Sequence, residues 1–436
     1  MTASLSLGLD IGTTSVSAVV ADMATGRVLA SCTEKHGADL PSADPGEKCQ
    51  SPGILEETAR RLLDRLLAQF PGVSAIGITG QMHGIVYLDS FGTPVSPLYT
   101  WQDQRAADLC PKLREATGYP IAPGYGLATH CALEEAGGVP EDARWLCTIM
   151  DYLAYVLCGR ERLMLHASNA ASLGFFSLET GQFDPAALKA AGIRDALLPP
   201  VTGKNALLGQ YRGIPVSVAI GDNQASFLGS VPEPETMALA NFGTGSQISR
   251  MVRYVPELPG ESGLEVRPFL EGSYLLCGSA LCGGRAYALL ERFFHSFAAR
   301  CGVEEENVYS ILNDMAREGL SRQDLPLVDT TFCGTRAEPS LRGAIRNLSD
   351  ANFTPEAITA GMLLGMAREL KSLLQAMPAG KITGLAASGN AVRNNPGLCQ
   401  AIRQVFALEV TVPVCPEEAA FGAACFAAWA VREITA

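Results

Sequence analysis

Apolar residues follow two rhythms along this chain, one of strands and one of helices. Leu5–Ile11 and Val16–Ala21 are β-rich runs separated by a Gly-Thr-Thr turn, which predicts two strands. Residues 54–70 place Leu55, Thr58, Ala59, Leu62, Leu63, Leu66 and Leu67 at helical spacing. Val73–Thr79 and Val216–Ile220 read as buried strands, the second running directly into Gly221-Asp222. Past Pro232 and Pro234, a plausible linker, Met237–Asn241 and Gln247–Val252 flank a Gly-Thr-Gly turn. Tyr274–Cys277 then predicts a strand, Arg285–Phe294 a helix, Ile382–Ala387 and Leu408–Val412 strands, and Glu417–Val431 an Ala-rich helix. Strands alternating with helices predict an α/β fold.

The pattern repeats once. Leu9–Val16 can be laid against Ala240–Gln247, each a strand, a Gly-Thr turn and a second strand. Two related domains explain this, as does chance, because Gly-Thr pairs are common. The length of 436 residues favours more than one domain. We place the boundary between residues 229 and 230, with the N-terminal domain at 1–229 and the C-terminal domain at 230–436.

Charge and cysteine usage narrow the chemistry. A net charge of -12 argues against a nucleic acid or an anionic membrane as partner. Any bound phosphate must then be held locally, by backbone amides, a metal or a few basic groups. The thirteen cysteines contain no CxxC pair, and an odd count in a long chain argues for reduced thiols. No apolar run reaches the ~18 residues of a membrane span, and no secretory signal pattern is visible at the N-terminus. A soluble cytoplasmic protein is expected.

Five segments carry candidate chemistry. Asp10-x-Gly12-Thr13-Thr14 offers turn amides and hydroxyls to a phosphate, and Asp10 offers an oxygen to a hydrated Mg²⁺; an ordinary hairpin turn has the same look. Gly243-Thr244-Gly245 permits close backbone approach to an anion, though alone it is a glycine-rich turn. Asp222, between a buried strand and a small-residue helix, is placed to accept a hydroxyl proton; a helix N-cap is the competing role. Gln81, Met82 and His83 after one strand, with Trp101, Asp103 and Arg105 after a loop, supply the polar groups and apolar face that a polyol needs. Asn390 and Asn394 follow Ser388-Gly389 in a strand-to-helix loop suited to adenosine, or to simple capping.

Read in order, LGLDIGTTSVSAVVAD, GITGQMHG, TWQDQR, IGDNQAS, NFGTGSQ, ASGNAVRNNPGLCQ and EEAAFGAACFAA resemble the FGGY carbohydrate kinases of the actin-like ATPase superfamily, from about residue 5 to 430. The resemblance implies two ribonuclease-H-like domains flanking a central cleft that closes over ATP, Mg²⁺ and a sugar. It makes Asp222 the catalytic base and Asp10 the metal-associated aspartate, with Asp222 also in the metal's reach. It assigns Gly12, Thr13, Thr14, Gly243, Thr244 and Gly245 to phosphate, and Gly389, Asn390 and Asn394 to adenosine. It lines the sugar pocket with Gln81, Met82, His83, Trp101, Asp103 and Asn223. GQMHG is similar to xylulokinases, whereas TWQDQR, MDYLAYVLCG, SNAASLGFF and GNAVRNNP are more similar to sedoheptulokinases. The expected reaction is therefore phosphorylation of a terminal ketose hydroxyl, sedoheptulose before xylulose or another pentulose. A non-catalytic sugar sensor or a sugar-independent ATPase on the same fold are the rival classes. Two departures stand out: Ala386-Ala387 occupies a place where many members carry glycines, and the chain is short for the family. Leu289, Phe293 and Phe294 belong either to a core or to a homodimer interface.

Overall fold

A computed structural model describes residues 5–258, 262–303, 307–335, 338–378 and 380–435. The chain forms two compact units. The first comprises Met1–Gly229, Arg267–Ser273 and Glu417–Ala436, and the second comprises Ser230–Val266 and Tyr274–Pro416.

The first unit is organised by a seven-stranded sheet. Its centre is β1 (Leu5–Ile11), antiparallel to β2 (Ser15–Asp22) and parallel to β4 (Val73–Gly80), with β3 (Arg27–Lys35) beyond β2. Leu7, Leu9 and Ile11 on one face are fully buried, and so are Ser6 and Gly8 on the other, as expected of a strand covered on both faces. On the other side of β4 lie β5 (Leu207–Tyr211) and β6 (Ile214–Ser217), and β7 (Ile220–Gly221) also pairs β4. The run expected as one strand over Val216–Ile220 is thus broken in two. Its second piece delivers Asp222 to the first position of helix α4 (Asp222–Ser230).

Helix α1 (Pro52–Gln69) buries the seven positions that the spacing predicts, plus Pro52. Ser51 caps it by accepting from the Ile54 amide, and Pro52 sits where no amide partner is needed. Each fully buried leucine contributes about 1.5–3 kcal/mol. Helices α2 (Ile149–Leu157) and α3 (Ala167–Leu173) also belong to this unit.

The first unit's main segment ends at Gly229, and two later segments also belong to that unit. The C-terminal helix (Glu418–Thr435) packs on β1 and β4 through contacts that only small residues allow. A Cβ on Gly8 would lie 1.8 Å from the Ala420 carbonyl oxygen, and one on Gly77 1.9 Å from that of Ala423. The same helix meets α4 where a Cβ on Gly422 would fall 1.8 Å from the Ala225 carbonyl oxygen. Residues 267–273 return by stacking Phe269 edge-on against Phe227 of α4, with ring centroids 5.4 Å apart.

The second unit repeats the opening of the first. A hairpin of β8 (Met237–Phe242) and β9 (Ser246–Val252) has its first strand parallel to a later strand, β14 (Gly384–Ser388). The six-stranded sheet is completed by β10 (Leu264–Pro268), β11 (Tyr274–Ala280) and β15 (Glu409–Thr411). Helix α5 (Gly283–Arg300), helix α6 (Val308–Leu320) and helix α7 (Pro355–Ala376) pack with it, beside a small hairpin of β12 (Leu327–Asp329) and β13 (Ala344–Arg346). All thirteen cysteines are free. Among the described residues no helix is long and apolar enough to cross a membrane.

Candidate active site

In the first unit, the ends of β1, β4 and β7 lie side by side. Asp10 pairs Thr79 in register, and Gly221 pairs Gly80. Asp10 and Asp222 therefore emerge at one edge of the sheet, the edge where α/β folds place ligands. Thr79 donates its hydroxyl to the Ile220 carbonyl at 2.7 Å, tying β4 to the strand that presents Asp222.

The electrostatics of this edge are unusual. Burial raises the Asp222 carboxyl to about 6, against the Asn223 backbone N–H and the positive charge of Arg267, which both lower it. Burial raises Asp10 further, to about 8, with the charges of Asp222 and Glu417 adding to the effect. The two aspartates titrate as a pair: Asp222 ionises first, and its charge helps Asp10 keep its proton. Asp10 Oδ1 is enclosed and has no hydrogen-bond partner. Crowded negative charge and an orphaned carboxylate oxygen suit a divalent cation, which would replace that proton. Among the described residues no group of three or more His, Cys, Asp or Glu side chains forms a metal cage.

A polar lattice braces Asp222 from below. Ser168 of α3 receives the Gly221 amide at 3.0 Å and contacts His166 Nδ1 at 2.8 Å. Asn169 donates to the Ala219 carbonyl at 3.1 Å and to Asp151 Oδ1 at 2.9 Å, and Thr148 donates to Asp151 Oδ2 at 2.6 Å. Burial holds Asp151 up at about 7 and pushes His166 down to about 4. Gly221 packs closely, since a Cβ would sit 2.6 Å from Gln224 Oε1 and 2.7 Å from the Met82 sulfur, and those side chains would have to move to admit it.

The turn after β1 is joined to the expected sugar residues by direct bonds. The Gly12 amide closes the turn on the Ser15 carbonyl at 3.0 Å. Trp101 Nε1 donates to the Thr13 hydroxyl at 3.0 Å, leaving the indole about half exposed. Gln50 Nε2 donates to the Thr13 carbonyl at 2.7 Å, and Gln81 Nε2 donates to Gln50 Oε1 at 2.8 Å. Gln81 Oε1 is buried and has no partner. His83 has a positive φ of 72°, its Nδ1 donates to the Ser172 carbonyl at 2.7 Å, and its ring stacks on Tyr125 at 4.6 Å. Met82 is buried against Gly221, whereas Thr14 is exposed and Asn223 half-buried beside Asp222.

Asp103 departs from expectation. It is fully buried, and both carboxylate oxygens are engaged, by the Lys48 amide at 3.0 Å and by Arg105 Nε and Nη2 at 2.7 and 2.9 Å. Asp103 thus fastens the loop that carries Trp101 and does not present its carboxylate to a ligand. Gly124 makes room for the same loop, since a Cβ there would lie 2.0 Å from the Trp101 carbonyl oxygen.

In the second unit, Asn241 pairs Ser388 in register, so the Gly243-Thr244-Gly245 turn and the Gly389-Asn390 loop share one sheet edge. The amides of Gly284 and Arg285, at the start of α5, donate to the Gly243 and Thr244 carbonyls at 2.8 and 3.0 Å. Gly389 has φ 97°, and a Cβ would lie 2.6 Å from the Phe242 carbonyl oxygen. Ala386 and Ala387 are fully buried within β14, so this loop begins only at Gly389. Asn390 and Asn394 are exposed at the two ends of the short helix α8 (Asn390–Asn394).

Gln50, Arg267, Glu417, Ser168 and Asn169 are absent from the residues expected from sequence. Glu417, Ser168 and Asn169 lie in segments that carried the resemblance, while Gln50 and Arg267 have no local pattern to mark them.

Comparison with known proteins bears on the family and the fold. The N-terminal domain of the FGGY family of carbohydrate kinases matches residues 5–229, and its C-terminal domain matches residues 259–431. The sedoheptulokinase of Mus musculus is 28% identical across 96% of this chain and 96% of its own. A xyloylose kinase from Brucella ovis superposes with a TM-score of 0.83 at 23% identity, over 98% of this chain and 91% of that one. Plasmodium falciparum glycerol kinase with ADP gives 0.80 at 19% identity, over 99% and 90%. With both of its domains matched and its fold shared, this chain belongs to the FGGY family of carbohydrate kinases and has their two-domain, actin-like ATPase fold.

Proposed function

We propose that this sugar kinase transfers the γ-phosphoryl group of ATP to the terminal hydroxyl of sedoheptulose, giving the 7-phosphate. The observation that carries the chemistry is Asp222, a half-buried carboxylate raised to about 6 at the first position of α4, beside Asp10. A base of that strength is ionised at neutral pH and still takes a proton readily. Asp222 accepts the proton of the attacking hydroxyl while that oxygen bonds to the γ-phosphorus and the bond to the β-phosphate oxygen breaks. Gln81, His83 and Trp101 orient the sugar, with Gln81 Oε1 still able to accept a hydroxyl. Gly12, Thr13 and Thr14, with Gly243, Thr244 and Gly245, cradle the phosphates, and Gly389, Asn390 and Asn394 receive the adenosine. Asp10, with Asp222 near it, would hold Mg²⁺, which when bound supplies positive charge to the phosphoryl oxygens. Support for the seven-carbon ketose is the 28% identity to mouse sedoheptulokinase over nearly the whole length of both chains.

The test is ADP release from Mg²⁺-ATP with sedoheptulose, xylulose, ribulose or glycerol against a no-sugar blank. Sedoheptulose is expected to give the highest kcat/KM. A higher value for xylulose or glycerol would overturn the substrate while keeping the site. Release no faster than the blank with any sugar would overturn the reaction.

A further inference from the structure

The second unit holds a cavity of about 770 Å³ between the β12–β13 hairpin, α7 and the end of β11. That volume suits a small organic ligand. Its lining is rich in guanidinium groups: Arg342 and Arg346 come from the hairpin side and Arg368 from α7. A Cβ on Gly365 would lie 2.3 Å from the Val328 carbonyl oxygen, so helix and hairpin touch there. Arg368 follows three residues later, on the same face of α7.

Among the described residues of the lining, three arginines face two carboxylates. Asp329 is committed to an ion pair with Arg346. Glu369 is held by the Thr330 hydroxyl, which donates to its carboxylate at 2.5 Å. Among the described residues, Arg342 Nη1 donates to the Pro339 and Leu341 carbonyls. Arg368 Nη1 is buried with no hydrogen-bond partner. Leaving a guanidinium N–H buried and unanswered costs free energy that an anion in the cavity would offset. Planar guanidinium groups match phosphate oxygens in particular. The cavity is far larger than inorganic phosphate needs, so the ligand carries an organic body as well.

We propose that this cavity is a binding site for a small phosphate monoester, held by Arg368 and Arg342 and separate from the residues assigned above to sugar and nucleotide. Ser279 lines it and accepts from Gln247 Nε2 at 3.3 Å, on the strand that follows the Gly243–Gly245 turn. An occupant is therefore one residue contact away from the nucleotide turn.

The experiment is calorimetric titration of the full chain, saturated with ADP, with ribose 5-phosphate, inorganic phosphate and neutral ribose. Binding does not require turnover, so this test stands whatever the assay of the kinase reaction shows. Saturable binding of ribose 5-phosphate, weaker binding of inorganic phosphate and none of ribose are expected. Arg368→Met should weaken ribose 5-phosphate about tenfold or more, the loss of one charge-assisted bond. Arg342→Ala, at an exposed side chain whose loss leaves the core untouched, should weaken it in the same direction. Equal affinity in all three proteins would place the phosphate elsewhere and overturn the proposal. So would the absence of binding to the unsubstituted chain at concentrations on the order of 10 mM.

Discussion

Replacing Asp10 by Asn tests the electrostatic reading without recourse to activity. Asp10 is raised from its ordinary 3.8 to about 8, chiefly by burial and then by Asp222 and Glu417. The folded state therefore binds this proton more tightly than the unfolded state. Between those two values the native protein holds more protons, so stability falls as pH rises. Asparagine has no proton to lose, and its stability does not follow that limb. One unit of displacement is worth about 1.4 kcal/mol, but Asp10 keeps some contact with solvent and its neighbours relax, so about 3 kcal/mol at pH 8 is a reasonable figure. At about 2–4 °C per kcal/mol, Asp10→Asn should melt about 6–12 °C above the unsubstituted protein at pH 8. The gap should shrink steadily towards pH 5. Scanning fluorimetry from pH 5 to 8, without nucleotide or Mg²⁺, reads this directly. Melting curves for the two proteins that run parallel across that range would refute a proton held at Asp10.

Three further outcomes follow from the geometry. Asp222→Asn should lower kcat by about two orders of magnitude or more with little change in sugar affinity, measured by steady-state kinetics and sugar titration; near-normal turnover would remove its role as base. The acid limb of kcat/KM should fall near pH 6, because the base works ionised and loses activity as pH drops through its raised value; a limb near pH 4 would mean that burial does not perturb it. Gly77→Ala should destabilise the first unit by more than about 3 kcal/mol, since its Cβ would overlap the Ala423 carbonyl oxygen at 1.9 Å; a melting temperature within a degree of the unsubstituted value would show that the C-terminal helix can shift.

How much was legible beforehand differs by residue. Local pattern fixed α1 to within two residues at its start, because the apolar stripe and Ser51-Pro52 act within one helix. The β1–β2 and β8–β9 hairpins were equally plain, since a glycine turn between two β-rich runs is a local signal. Asp10 and Asp222 were found by motif, and the parallel pairing of β1 and β7 with β4 shows why they share an edge. Asp103 misled because a carboxylate beside Trp101 looks the same whether it faces ligand or loop. Its full burial and its bonds to Lys48 and Arg105 are matters of three-dimensional closure.

Residues close together along the chain were enough to set the α/β alternation, the duplicated hairpin and the family. Tertiary structure alone decided that residues 267–273 and 417–436 return to the first unit, bringing Arg267 and Glu417 to the aspartates. It also decided the raised carboxyl of Asp10 and the enclosure of Arg368 Nη1. Burial and the approach of charges distant in sequence set both, and neither leaves a periodic trace in the chain.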